Sequence, residues 1–238
     1  MADVLAIGAH PDDVELTMGG LLLRLVDAGR SVAILDLTRG EGGTRGTAET
    51  RAAEAAAGAR ALGAAERTIL DFGDGLLEPS LPVRRAVVAA IRRHRPSLVV
   101  APHWRDLHPD HAAAGRAVRA VRYVCGMPKW DPGPHAPHRP STFLFSMHHT
   151  EFRVSVVVDV TSVWERKCAA VRCYPSQLHD PASKEPRTSI ASDEFVPRWE
   201  ARHRWFGSRA GVRFGEPYFH DGPVPVHDPV ALLGAARP

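Results

Sequence analysis

Four short apolar segments separated by helical periodicity constrain this chain more than any other feature. Val4–Gly8, Ser31–Leu37, Glu66–Phe72 and Leu98–Ala101 read as strands, the third less apolar than the others. Leu16–Ala28, closed by Gly29, and Arg51–Leu62, closed by Gly63, read as helices. So does Val83–His94, begun by Pro82 and stopped before Pro96, and a further helix runs from about Asp110 to Val124. Strands that are apolar on both faces and joined by helices belong to a parallel sheet covered on both sides. The expected fold is α/β: a doubly wound (Rossmann-like), mainly parallel sheet with helices on both faces. A single domain is expected over 1–238, with a regular α/β core in 1–125 and additional strands and helices in 126–238 that complete the site. In that second half, Gly126–Pro140 reads as a loop because it holds five prolines. Thr142–Met147 and Val154–Val160 read as strands, and Val163–Tyr174 and Asp193–Phe206 as helices. The Pro- and Gly-rich tail after Pro217 reads as surface chain.

Composition narrows the function classes. No stretch approaches the roughly 18 uninterrupted apolar residues of a membrane span, and the opening Met-Ala-Asp runs straight into a strand pattern, so neither membrane nor signal peptide is expected. A pI near 9.0 raises nucleic acid as a partner. Yet 27 of the 30 cations are arginines spread along an Ala-, Gly- and Pro-rich chain, a pattern of GC-rich codon usage, and no nucleic-acid partner is expected. Three cysteines cannot form a fully paired disulfide framework, which points to a reducing, cytoplasmic location. Thirteen histidines against three cysteines mean that any metal here is held by nitrogen and oxygen donors.

Directly after the first strand comes His10-Pro11-Asp12-Asp13-Val14-Glu15, one imidazole and three carboxylates within six residues. In a doubly wound sheet, ligands bind outside the carboxyl ends of the strands where the strand order reverses. With order 3-2-1-4-5, the loop after strand four faces the loop after strand one. That fourth loop reads His103-Trp104-Arg105-Asp106-Leu107-His108-Pro109-Asp110-His111. A catalytic zinc site takes three imidazole or carboxylate ligands and leaves one position for water, and His10, Asp13 and His111 can supply them. Zinc brings the pKa of water towards ~7. Asp12 is then free to act as general base. His108 can stabilise or protonate the tetrahedral intermediate, with Asp110 fixing its tautomer and orientation. Each fragment alone has a plainer reading, as a turn with a helix-capping Asp or as surface histidines; their meeting at one predicted crevice carries the argument. Glu15 reads as structural, capping the first helix or holding a ligand in place.

These two motifs, with Gly19-Gly20 between them, resemble the LmbE-like (PIG-L) zinc N-deacetylases, and the likeness extends over most of the chain. Thr38-Arg39-Gly40-Glu41, Gly43 to Thr47, Arg51, Trp164 to Lys167, Tyr174 to Gln177, Gly207 and Gly215-Glu216-Pro217 resemble the bacillithiol-biosynthesis branch, which deacetylates N-acetylglucosaminyl malate. The resemblance implies zinc on His10, Asp13 and His111, although iron(II) suits the same ligands. It also implies Asp12 as base, His108 as acid or electrostatic partner, Arg51 near the site, and assembly into trimers or hexamers. One position departs from that branch: Leu107 stands where an arginine commonly precedes the first histidine of the second motif, which puts malate recognition in question.

Other features have two readings. The loop Thr38–Thr47 is either a flexible turn or a place where Arg39, Arg45 and Arg51 hold sugar hydroxyls or a carboxylate. A phosphate cradle would need Gly-x-Gly-x-x-Gly after strand one, which is absent. Cys168 and Cys173, five apart, do not share a helix face. His148-His149 either lines the pocket or forms an exposed turn, and Trp199, Trp205 and Phe206 read as helix core. Tyr174 and Gln177 reach the substrate only by the resemblance. The leading expectation is zinc-dependent removal of the N-acetyl group from an N-acetylglucosamine derivative, releasing acetate and the free amine from a small amino-sugar substrate. The alternatives are an amidase acting on a glucosaminyl thiol S-conjugate, a binding protein with a structural metal, and a non-hydrolytic nucleotide-binding domain with Asp36 as the ribose-binding acid. Against the last, Asp12 and Asp13 stand where a pyrophosphate needs backbone amides.

Overall fold

In the computed structural model, which describes residues 1–223, the apolar alternation becomes a seven-stranded sheet. The strands are β1 (Val4–Gly8), β2 (Val32–Asp36), β3 (Glu66–Ile69), β4 (Leu98–Pro102), β5 (Thr142–Ser146), β6 (Val156–Asp159) and β7 (Gly215–His220), in the order β3-β2-β1-β4-β5-β7-β6. Pairings from β3 through β5 are parallel, and β7 runs antiparallel to both β5 and β6. The helices are α1 (Asp13–Thr17), α2 (Gly19–Asp27), α3 (Ala48–Leu62), α4 (Leu81–His94), α5 (Pro109–Val124), α6 (Trp164–Val171) and α7 (Phe195–Ala210).

Successive strand residues point to opposite faces, so β1 feeds two cores. Leu5 and Ile7 pack with Val87 and Ile91 of α4 and Val118 and Val121 of α5. Val4 and Ala6 pack with Leu22 and Leu23 of α2, Leu62 of α3, Trp164 of α6 and Trp199 of α7. This is the expected doubly wound α/β domain. The reversal of strand order between β1 and β4 puts the ends of those two strands, and of β5 beside them, at one crevice.

Local signals set several boundaries. Thr47 caps α3, accepting from the Thr50 amide at 3.2 Å, and starts the helix three residues before the expected Arg51. Gly63, at φ 72°, closes it in the left-handed C-cap conformation. The expected helix Val163–Tyr174 is shorter: a 3₁₀ turn at Thr161–Val163 leads into α6, while α7 runs four residues past the expected Phe206.

Two expectations are overturned by distant contacts. The single helix Leu16–Ala28 is broken at Met18, because the amides of Gly20 and Leu21 each donate to the Glu216 carboxylate at 2.7 Å. Gly20 permits this approach: a Cβ there would lie 2.7 Å from Glu216 Oε1 and closer still to Val160. Glu216 belongs to β7, so the chain around Pro217 is not surface; Tyr218 is fully buried. A proline within a strand argues against a central position, but the ladder with β5 begins only at Tyr218. The rest of the tail, from 224 on, lies outside the described residues.

Glu216 also meets the ammonium of Lys167 from α6, and Lys167 Nζ lies 2.9 Å from His203 Nε2 on α7. All three side chains are buried. His203 Nδ1 donates to the Trp199 carbonyl at 2.8 Å, which leaves Nε2 to accept from Lys167. Removing one member of a buried ion pair strands the other. We therefore expect Glu216→Gln to lower stability in urea denaturation by about 3 kcal/mol, and Lys167→Met in the same chain to recover part of the loss. No recovery would show that Glu216 acts only through the amides of α2.

Candidate active site

Asp13 is bound into the turn that follows β1. Its Oδ2 accepts from the amides of Ala9 at 2.8 Å and His10 at 3.0 Å. The turn drives Asp12 to φ 108° and ψ −28°, a left-handed conformation that costs a non-glycine residue about 1–3 kcal/mol. Arg51 of α3 supports the strained residue, donating through Nη2 to the Pro11 carbonyl and to Asp12 Oδ2, the latter at 3.2 Å.

Two imidazoles turn one nitrogen towards Asp13 and the other towards a carboxylate. His111 Nε2 lies 3.1 Å from Asp13 Oδ1, while its Nδ1 donates to Asp106 Oδ1 at 3.0 Å. His10 Nδ1 lies 3.7 Å from Asp13 Oδ2, and its Nε2 faces Asp110 at 3.0 Å and Asp74 at 3.1 Å. A carboxylate behind each imidazole fixes tautomer and ring orientation and raises ligand basicity, the usual outer arrangement of a histidine metal site. Donor atoms of His10, His108 and His111 lie within 4.8 Å of one another, and so do those of Asp13, His111 and His148. The three expected ligands are thus divided between two overlapping groups that share His111.

The electrostatics fit a cation. Burial disfavours charge on His111, yet Asp13 and Asp106 lift its pKa to about 9. His10 is likewise raised well above its ordinary value against burial, through Asp110 and Asp74. Burial works against the Asp13 carboxylate too, but His111 and His148 hold it well below the usual range. Carboxylates that draw protons onto their imidazoles supply the field that holds a divalent ion, and the all-nitrogen-and-oxygen donor set suits zinc.

Asp12 differs from its neighbour. Burial pushes its carboxyl up to about 7, with Arg51 opposing and Asp13 adding to the rise. A base poised near neutrality suits proton abstraction. His108 caps α5, and its Nδ1 accepts from the Asp110 amide at 3.2 Å. In the neutral ring the proton therefore sits on Nε2. Burial and the neighbouring His111 and His10 lower the His108 pKa, favouring that neutral form.

The structure brings His10, Asp12, Asp13, His108, His111 and Arg51 together around a cavity of about 750 Å³. Asp110 reaches His108 only through its backbone; its carboxylate instead serves His10 and accepts from the amides of Gly75 at 2.7 Å and Leu77 at 3.2 Å. The start of α5 turns that side chain towards the loop after β3. Arg39 and Arg45 do not line the cavity. Arg39 pairs with Asp71, and Arg45 is buried against Glu185 and Ser183. Gly42, Gly43 and Thr44 of the same loop do line it, as do Gln177 and Trp199. Trp199 is also core, its indole donating to the Leu16 carbonyl at 2.9 Å. Glu15 caps no helix; it is buried 2.6 Å from Arg67. Arg67 also grips Asp36 with two hydrogen bonds, so Asp36 is closed to a ribose.

Two carboxylates, Asp106 and Asp74, were missed as partners, and of the two readings of His148 the pocket-lining one holds. Asp106 stands inside the loop already singled out, and His148 follows β5, whose parallel pairing with β4 brings it to the crevice 3.6 Å from Asp13. Burial and His111 lower the His148 pKa to about 3. Asp74 follows β3, two strands from the reversal, and nothing local marks it.

Known proteins share this architecture. The profile of the family described as PIG-L, GlcNAc-PI de-N-acetylase, matches residues 5–122. The chain is 34% identical over 232 residues to the diacetylchitobiose deacetylase of Thermococcus kodakarensis, covering 90% of this chain and 80% of that one. A probable N-acetyl-α-D-glucosaminyl L-malate deacetylase of Bacillus cereus is 29% identical over 73% of this chain and 83% of its own. A 4-oxalmesaconate hydratase of Pseudomonas putida is 26% identical over 74% of each chain. Among solved structures, the conserved protein TT1542 of Thermus thermophilus superposes with a TM-score of 0.85 at 36% identity, covering 95% of this chain and 97% of that one.

The carboxylate behind His111 gives a direct test of the donor arrangement. We expect Asp106→Asn to weaken zinc binding about 10- to 100-fold in competition with a chromophoric chelator, and His111→Ala to leave only trace zinc by elemental analysis. Unchanged zinc affinity in both variants would remove His111 from the centre.

Proposed function

The chain belongs to the PIG-L family of LmbE-like deacetylases, and on that basis we propose that it is a zinc-dependent hydrolase that removes the acetyl group from an N-acetylglucosamine derivative. The observation that carries the reading is the pair of imidazoles, each backed by a carboxylate, turned towards Asp13 beside a buried Asp12 whose pKa lies near 7. His10, Asp13 and His111 would hold the metal. Bound there, zinc supplies Lewis-acid polarisation and a water acidic enough to react near neutral pH.

The protein's own groups do the rest. Asp12 takes the proton of the attacking water, and Arg51 holds its carboxylate in place. His108, its Nδ1 occupied by the Asp110 amide, offers Nε2–H as a hydrogen bond to the oxyanion of the tetrahedral intermediate, and the proton that Asp12 has taken passes to the departing amine. Asp110 and Asp106 are positioning residues that act through His10 and His111.

The malate branch is one member of a wider substrate class. Identity is higher to the chitobiose deacetylase, at 34%, than to the malate deacetylase, at 29%. Leu107, where the malate branch carries arginine, is 80% exposed. The cavity of about 750 Å³ extends from His10 and His111 to Arg198 and Arg202 of α7, which favours a glucosaminide with a second group. The hydratase relative is less similar, and acetate release separates the two chemistries.

The test is amine and acetate release across a panel of N-acetylglucosaminides, with zinc and with chelator. Turnover that chelator abolishes and zinc restores is expected; no release from any member in the presence of zinc would overturn the reading. In the same assay we expect Asp12→Asn to retain stoichiometric zinc and lose about 10²- to 10⁴-fold in kcat. Activity within a few-fold of wild type would remove Asp12 as the base.

A further inference from the structure

The charges that line the cavity are segregated. Its three carboxylates, Asp12, Asp13 and Asp74, all stand just beyond strand ends and all have partners: Arg51 for Asp12, His111 for Asp13 and His10 for Asp74. Besides Arg51, two guanidiniums line it, Arg198 and Arg202 of α7. Their i, i+4 spacing puts them on one face of the helix, with the buried Trp199 beside Arg198 on the same wall.

Neither has a counter-ion among the described residues. Arg202 donates one N–H to the His148 carbonyl, which leaves four of its five donors without an acceptor among the described residues. The carboxylate that acts on it is Asp106, and both oxygens of Asp106 are occupied. Oδ1 serves the His108 amide and the rings of His111 and His149, and Oδ2 serves the amides of His149 and Thr150. The side chain of Arg198 makes no ion pair or hydrogen bond within the described residues and is exposed at the cavity. An exposed arginine by itself is ordinary surface. Two guanidiniums without a counter-ion among the described residues, on one cavity wall and facing a site whose acids are all taken, form a binding element.

We propose that Arg198 and Arg202 form a subsite for an oxyanion, a carboxylate or phosphate, carried by the group attached to the amino sugar. Guanidinium forks match both oxyanions through paired N–H donors. Leu16, Ile190 and Phe195 line the same cavity and give the linking part of such a substituent an apolar surface. The inference rests on the deacetylase reading for the sugar, but not for the charge of the substituent.

Three matched N-acetylglucosaminides, whose substituent ends in a carboxylate, a phosphate or a carboxamide, test the subsite by calorimetry on zinc-loaded Asp12→Asn protein, where turnover is suppressed. An oxyanion ligand is expected to bind about tenfold tighter than the carboxamide, less so at high salt, and Arg198→Gln is expected to erase most of that preference. Equal affinity for all three, or no binding of any, would overturn the proposal. So would a preference that Arg198→Gln leaves unchanged, because the anion would then sit on the metal centre. Failure of the deacetylase reading looks different: wild-type protein would release no acetate while the Arg198-dependent preference remained.

Discussion

The carboxylate of Asp13 is the constraint around which this site is assembled. One oxygen takes the amides of Ala9 and His10 and bends the chain as it leaves β1. The other faces His111 at the start of α5 and His148 beyond β5. A single side chain thus ties together the ends of three parallel strands. That is feasible only because the chain reverses its strand order between β1 and β4, which opens a crevice lined by both loops. The same turn forces Asp12 into a strained conformation and delivers its carboxylate to Arg51.

Negative charge at the crevice is stabilised from behind by backbone amides. Asp110 accepts from Gly75 and Leu77, Asp106 from His108, His149 and Thr150, and Asp74 from Gly42. Charge-assisted bonds of this kind are stronger than neutral ones, and here they also position the loops that carry the imidazoles. The glycine-rich loop acquires its meaning in this setting. Gly40, at φ 68°, passes over the Arg51 guanidinium, where a Cβ would lie 3.0 Å from Cζ. The loop covers the arginine that holds Asp12 and supports the Asp74 carboxylate.

The parallel core was legible because strands buried on both faces leave continuous apolar runs between helix signals, as Val4–Gly8 and Leu98–Pro102 do. The helix break at Met18 and the strand β7 were not legible. Both depend on Glu216 meeting amides some 196 positions away, and no local pattern encodes that contact. Pro217 even argued in the wrong direction. The placement of Arg39 and Arg45 was not legible for a related reason: a basic loop beside a site reads as substrate contact, whereas Asp71, Glu185 and Ser183 hold those side chains outside the cavity lining.

Donor types, their spacing in two motifs, and the layer order that brings the motifs together were all written in the amino-acid sequence. They follow from local periodicity and from residues adjacent in the chain. Folding in three dimensions was needed to establish that Asp110 backs His10 while its amide holds His108, that Asp106 backs His111, and that His148 joins the centre. It also placed Arg198 and Arg202 of α7 on the cavity wall. Each of these is a contact fixed by where strand register, helix packing and loop geometry carry a side chain, and hydropathy along the chain does not record that direction.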